Sequence, residues 1–193
     1  MPTSDIDLLA IVDGMDKRFD PNVYSIYSYD RIHALWHEGN PFAWHLSLEA
    51  RLLFASDGTD FLASLASPAP YQNRLFDCEK FHKLFHGAVA SILLSRSTLV
   101  FDLSTIFLSI RNFATCFSLG LTVRPDFSRD SARRLSEDPV PISQISYSTL
   151  ENARILCTRG IGDNISSADA SRAISEFGAV DAWMFGLIKK VKQ

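Results

Sequence analysis

The sequence predicts an α+β protein, with a small mixed sheet confined to roughly the first third and an all-helical bundle after it. Short apolar runs bounded by turn residues, the mark of buried strands, cluster before residue 60. From Thr59 onward that pattern gives way to apolar residues at helical spacing. Ser67-Pro68-Ala69-Pro70 falls between the two regimes and divides the chain into a first domain at 1–66 and a helical domain at 71–193.

Taken in order, Ile-Asp-Leu-Leu-Ala-Ile-Val at 6–12 opens with carboxylates, stops at Asp13-Gly14 and reads as a mostly buried strand. Residues 22–28, rich in β-branched and aromatic side chains, read as a second strand. A helix is expected over 29–37, ended by Gly39 and Pro41, and another over 42–49. Leu52-Leu53-Phe54 reads as a short third strand closed by Ser56-Asp57-Gly58.

Helices are then expected at 77–97, 103–120, 128–136, 147–159, 167–177 and 180–190. The first two are the most apolar and should form a central antiparallel pair with Leu93 and Ile110 in its core. Pro139 and Pro141 interrupt the chain after the third. Ser148-Thr149-Leu150-Glu151 has the form of a capping box, and Gly160 and Gly162 suit the helix C-terminus that follows.

At 193 residues and 47% apolar, the chain has enough apolar material for a real core. Its net charge of −3 argues against a general nucleic-acid coat but leaves room for a local basic groove, so nucleic acid stays open as a partner. Three scattered cysteines, Cys78, Cys116 and Cys157, form neither a disulfide framework nor a zinc knuckle and read as buried thiols of a reducing compartment. No signal-peptide pattern opens the sequence, and Arg96, Asp102 and Arg111 interrupt its most apolar region. A cytoplasmic protein without a membrane partner is the resulting expectation.

The candidate chemistry begins at Ser4-Asp5-Ile6-Asp7-Leu8-Leu9. Residues two apart on a strand share a face, so Asp5 and Asp7 would converge and could share Mg²⁺, a hard cation that takes carboxylate oxygens. Such an ion bridges nucleotide phosphates during phosphoryl or nucleotidyl transfer. Two histidine pairs, His33/His37 and His82/His86, are spaced to lie on one helix face and would bind zinc given a further ligand. No such ligand is visible nearby, and the second pair reads instead as part of a mixed polar face with Lys80 and Lys83.

The run Ser4-Asp5-Ile6-Asp7-Leu8-Leu9 resembles the second half of the signature of polymerase-β-superfamily nucleotidyltransferases. Gly39, Phe42-Ala43-Trp44-His45-Leu46, Glu49 and Leu52-Leu53-Phe54 follow in an order similar to bacterial members, so the resemblance covers 4 to about 56. It implies a nucleotidyltransferase-like topology, Asp5 and Asp7 as catalytic Mg²⁺ ligands, Ser4 beside the nucleotide, a nucleoside triphosphate as substrate, and a structural task for His45 under the sheet. Two features depart from the family: no Gly-Ser turn precedes Ser4, and the second strand carries Asn22 and Ser25 where a third acid is expected. Arg111-Asn112-Phe113-Ala114-Thr115-Cys116 is similar to the HEPN ribonuclease motif, with Cys116 in place of its histidine.

The reading is a nucleotidyltransferase-like protein, impaired or inactive in this chain. Two alternatives remain: a non-catalytic, antitoxin-like interaction module, or a structural dimer of apolar helices. A clipped sheet leaves an apolar edge near 6–12 for a homodimer or a partner protein to cover.

Overall fold

The computed structural model describes residues 7–14, 16–121 and 125–192. The chain divides into two compact units, Met1–Tyr71 and Gln72–Gln193. The protein is α+β and mostly helical, and among the described residues every strand lies in the first unit.

In that unit β1 (Leu8–Val12) and β2 (Tyr24–Ser28) pair in parallel, Leu8 opposite Tyr24 and Val12 opposite Ser28. Among the described residues the sheet is therefore two-stranded and purely parallel rather than mixed. The expected third strand is absent: Leu52, Leu53 and Phe54 are irregular and 52%, 78% and 81% exposed. Strand-forming side chains without a ladder partner leave their backbone in solvent.

Helix α1 (Tyr29–His37) starts directly after β2, where the Ser28 hydroxyl accepts the Arg31 N–H. Asn40 caps α2 (Pro41–Glu49), with Pro41 at a first-turn position that needs no N–H, and Asp60 caps the short α3 (Phe61–Ser64). Ile32, Leu35, Trp36 and Ala43 form the core, with Ile11 and Tyr27 packed against it from the sheet. Phe42 packs on Tyr27 of the sheet, ring centroids 5.3 Å apart, and His45, one turn on, lies beside Phe42 and pairs with Glu49 at 3.1 Å.

The Ser-Pro-Ala-Pro segment is tied into this unit. The Trp36 indole donates to the Ala66 carbonyl at 2.7 Å and the Trp44 indole to that of Ala69 at 3.1 Å. Gly39, at φ +61°, lets that backbone pass: a Cβ there would lie 2.4 Å from the Ala69 carbonyl oxygen.

The second unit is built on α4 (Arg74–Leu94) and α5 (Leu99–Leu119). A four-residue loop joins them, and at the far end Arg74 donates to the Gly120 carbonyl at 3.0 Å, so they run antiparallel. Cys78, Phe85, Ala88 and Ile92 of α4 are buried, with Leu103, Ile106, Ile110 and Phe113 of α5. Leu93 faces out, 76% exposed, and is no part of this core. Asp102 is buried near the loop and accepts from the Ser91 and Thr98 hydroxyls at 3.0 and 2.8 Å, which satisfies its carboxylate. Helix α5 is long and apolar enough to cross a membrane by composition, but 61% of its most apolar window is buried inside the unit, as in a core helix.

The helix expected at 128–136 is a series of turns. Side chains compete successfully for its backbone: Asp126 accepts from Ser128 N–H, and Ser128 Oγ from Asp130 N–H. Helix α6 (Gln144–Arg159) begins ahead of the expected capping box, because Ser143 accepts the Ser146 N–H and starts the helix first. Gly160 ends it at φ +64°. Helices α7 (Ser167–Ser175) and α8 (Phe177–Lys192) complete the unit. Cys78 and Cys116 are buried, and burial pushes the Cys78 thiol well above its usual range. Cys157, expected to be buried, is exposed.

Candidate metal centre

Helix α4 carries two stripes. One, Cys78, Phe85, Ala88 and Ile92, is buried. The adjacent one is Glu79, His82, Lys83 and His86, at helical spacings of three and four. Asp181, Phe185, Ile188 and Lys192 make a matching stripe on α8. Lys192 Nζ meets Glu79 at 2.7 Å, while Asp181 meets His82 and His86, so the two helices run antiparallel.

Apolar anchors set the register. Phe177 packs edge-on against Phe85, ring centroids 5.9 Å apart. One turn beyond Phe177, α8 therefore presents Asp181 to the histidines that flank Phe85. Further along α8, Trp183 packs on Phe113 and its indole donates to the Asp138 carbonyl at 2.8 Å. Lys190 meets the Asp138 carboxylate at 2.6 Å. Asp181 thus stands on a helix fixed from several sides, the support a binding side chain needs.

Three atoms converge. His82 Nε2 lies 2.7 Å from Asp181 Oδ1, His86 Nε2 lies 2.9 Å from the same oxygen, and the two Nε2 atoms are 3.1 Å apart. Hydrogen bonding alone does not satisfy this triangle. A neutral imidazole nitrogen either donates or accepts, and an ionised carboxylate only accepts. A closed ring of three contacts therefore has at least one edge joining two donors or two acceptors. A cation at the centre removes the conflict, because all three atoms then direct lone pairs at it.

The spacing suits such an ion. Ligands at zinc's usual ~2.0–2.1 Å in a tetrahedron stand ~3.3 Å apart, so the sides of the triangle, 2.7, 2.9 and 3.1 Å, need to widen by about 0.2 to 0.6 Å. His82 is the inner ligand at 16% side-chain exposure, and His86 at 55% is the outer one, so the cluster is reachable from solvent. It is the one such His/Cys/Asp/Glu group found among the described residues.

The sequence-based candidates fall elsewhere. Ser4 and Asp5 lie outside the described residues, and Asp7 is exposed just before β1. Arg111 donates to the carbonyls of Phe127 at 2.6 Å and Ser128 at 3.3 Å, strapping the 125–134 turns onto α5. Asn112 is half-buried on the same helix and Cys116 is buried. Of the two histidine pairs, His82/His86 meets a third candidate ligand, Asp181, which sequence reasoning missed.

Two long helices and a His-His-Asp triad describe a helical unit with a candidate site for a transition metal. No family model, curated protein or solved structure matches the chain.

Proposed function

We propose that the helical unit binds a divalent transition metal, zinc by its ligand chemistry, through His82, His86 and Asp181. Two imidazoles and one carboxylate suit zinc, whereas Mg²⁺ and Ca²⁺ prefer all-oxygen sets. The observation that carries the reading is the closed triangle of donor atoms that no arrangement of protons satisfies with the carboxylate ionised. Calorimetric titration of the chelator-stripped protein with Zn²⁺ tests it: one ion should bind per chain. His82→Ala or Asp181→Ala should weaken that binding about 100-fold. Mg²⁺ should not compete. Zn²⁺ affinity unchanged in both variants overturns the proposal.

A second reading belongs to the first unit: a nucleotidyltransferase-like domain, impaired as this chain stands. Parallel pairing places the heads of both strands at one end of the sheet, so exposed Asp7 shares that end with the turn at Asp20. The Asp20 carboxylate is already engaged by the Asn22 backbone and side chain, which fits weak rather than tight Mg²⁺ binding. Labelled nucleotide with Mg²⁺ should give no transfer, and Asp7→Ala should abolish residual Mn²⁺ binding. Robust transfer by the Asp7→Ala variant rules the site out.

A further inference from the structure

The groove beside the triad points to a ligand for the metal's open position. Three protein ligands leave a four-coordinate zinc one site short, which is the arrangement of catalytic and ligand-exchanging centres rather than of closed structural ones. His82 and His86 both line a shallow groove of about 320 Å³ between α4 and α8, a volume within the range of small-molecule sites.

The other walls set the chemistry. Phe185, 51% exposed, and Ile188 supply an apolar side, and Lys189 Nζ lies 4.4 Å from the Phe185 ring centroid. Lys83 projects from the turn that carries His82 and His86 and lines the groove. Glu79 and Lys192 neutralise one another at 2.7 Å. With a dication on two neutral imidazoles and one carboxylate, the metal centre carries a net positive charge, and Lys83 adds another. A positive end beside an apolar wall complements an anion with a hydrocarbon tail.

We propose, resting on the metal reading above, that this groove takes an aliphatic monocarboxylate, with one carboxylate oxygen on the metal's open position, the head group beside Lys83 and the chain along Phe185 and Ile188. A carboxylate suits the site better than a free phosphate because the Phe185 and Ile188 side of the groove is apolar and would stay wet against a fully polar anion. A cationic amine of the same length is repelled by both the metal and Lys83.

Cobalt(II) in place of zinc provides the test, since its visible spectrum reports coordination and shifts when a ligand is exchanged. The full chain is loaded with Co²⁺ and titrated with hexanoate, acetate, inorganic phosphate and hexylamine. Hexanoate should shift the spectrum saturably and bind about tenfold or more tighter than acetate, from burial of the extra methylenes. Hexylamine should leave the spectrum unchanged. Lys83→Ala, outside the ligand set, should keep Co²⁺ binding and weaken hexanoate about fivefold. Phe185→Ala should keep Co²⁺ and erase the preference for hexanoate over acetate. A Co²⁺ spectrum that forms but ignores hexanoate overturns this proposal and leaves the metal reading intact. Failure to bind Co²⁺ at all overturns the metal reading, and this proposal with it. Phosphate binding tighter than hexanoate overturns the choice of ligand.

Discussion

The two units hold themselves together by different means. The first has a small core, a cluster of Ile32, Leu35, Trp36 and Ala43 with Ala10 and Val12 buried in β1, and it relies on close backbone approaches: two indoles reach the carbonyls at Ala66 and Ala69, and Gly39 gives that segment room. The second buries long faces of α4, α5 and α8, and its polar side chains mostly strap loops onto that core, as Arg111 does at Phe127 and Trp183 at Asp138. Its stability is spread over many contacts, whereas that of the first is concentrated in a few. A change of shape should therefore damage the first unit most, and a buried charge the second.

The largest effect is expected at Ile110, fully buried in α5. Ile110→Asp places an unpaired charge among apolar side chains and should cost about 4 kcal/mol or more. Leu93→Asp, on the exposed side of α4, should stay within about 0.5 kcal/mol. Thermal melts followed by helical ellipticity separate the two. Equal losses in both variants would show that the core is not where α4 and α5 place it.

Gly39→Ala is the matching change in the first unit. Its Cβ would meet two backbone oxygens, at 2.4 and 2.7 Å, in a conformation that L side chains rarely adopt. Backbone cannot swing aside as a side-chain tip can, so we expect about 3 kcal/mol of destabilisation. Two of the three tryptophans, Trp36 and Trp44, belong to this unit, so fluorescence in a Trp183→Phe background reads it selectively. A Trp36 and Trp44 unfolding midpoint equal to that of the parent would mean that the Ala66–Pro70 backbone does not crowd Gly39.

Most helices were legible in the sequence because their signals are local. Periodicity, Gly160 and the Gly39-to-Pro41 break mark ends within a few residues of where they fall. The failures are cases where a neighbour decides. Residues 128–136 have helical composition, yet Asp126 and Ser128 take their backbone N–H groups and Arg111 takes two nearby carbonyls. Leu52 to Phe54 have strand composition and no strand beside them. The candidate metal centre was half legible: the spacing of His82 and His86 is a local signal, but Asp181 lies 99 residues from His82. The contact of Phe85 with Phe177 brings them together, and no spacing rule announces it.

Zinc should sharpen the contrast between the units. An ion that binds the folded helical unit and not the unfolded chain stabilises it by about 2.7 kcal/mol at a hundredfold excess over its Kd. The gain should appear in the helical melt and vanish in His82→Ala. The Trp36 and Trp44 signal should not move with it. A gain of equal size in His82→Ala would place the ion elsewhere.

A smaller loss is expected at a polar clasp in the second unit. The Glu176 carboxylate at the end of α7 accepts from Ser143 N–H at 2.5 Å, Ser143 Oγ at 2.7 Å and Ser146 Oγ at 2.7 Å. Partial burial pushes its acidity the other way, but the hydrogen bonds from Ser146 and Ser143, with Arg172 nearby, outweigh it and hold the carboxyl below the usual glutamate range. A group whose folded pKa is depressed adds stability that is present above its unfolded pKa and lost as pH falls through the folded value. Glu176→Gln should therefore cost about 1 kcal/mol at pH 7, the usual worth of a helix N-terminal clasp. The gap between variant and parent should narrow as pH drops below about 4.3, where free glutamate protonates. Ser143→Ala should cost less in the Glu176→Gln background than alone, because both act on one hydrogen-bonded set. Denaturant unfolding from pH 7 to pH 3 makes the measurement. A gap that keeps its full size down to pH 3 would mean that Glu176 acts through shape and not through its charge.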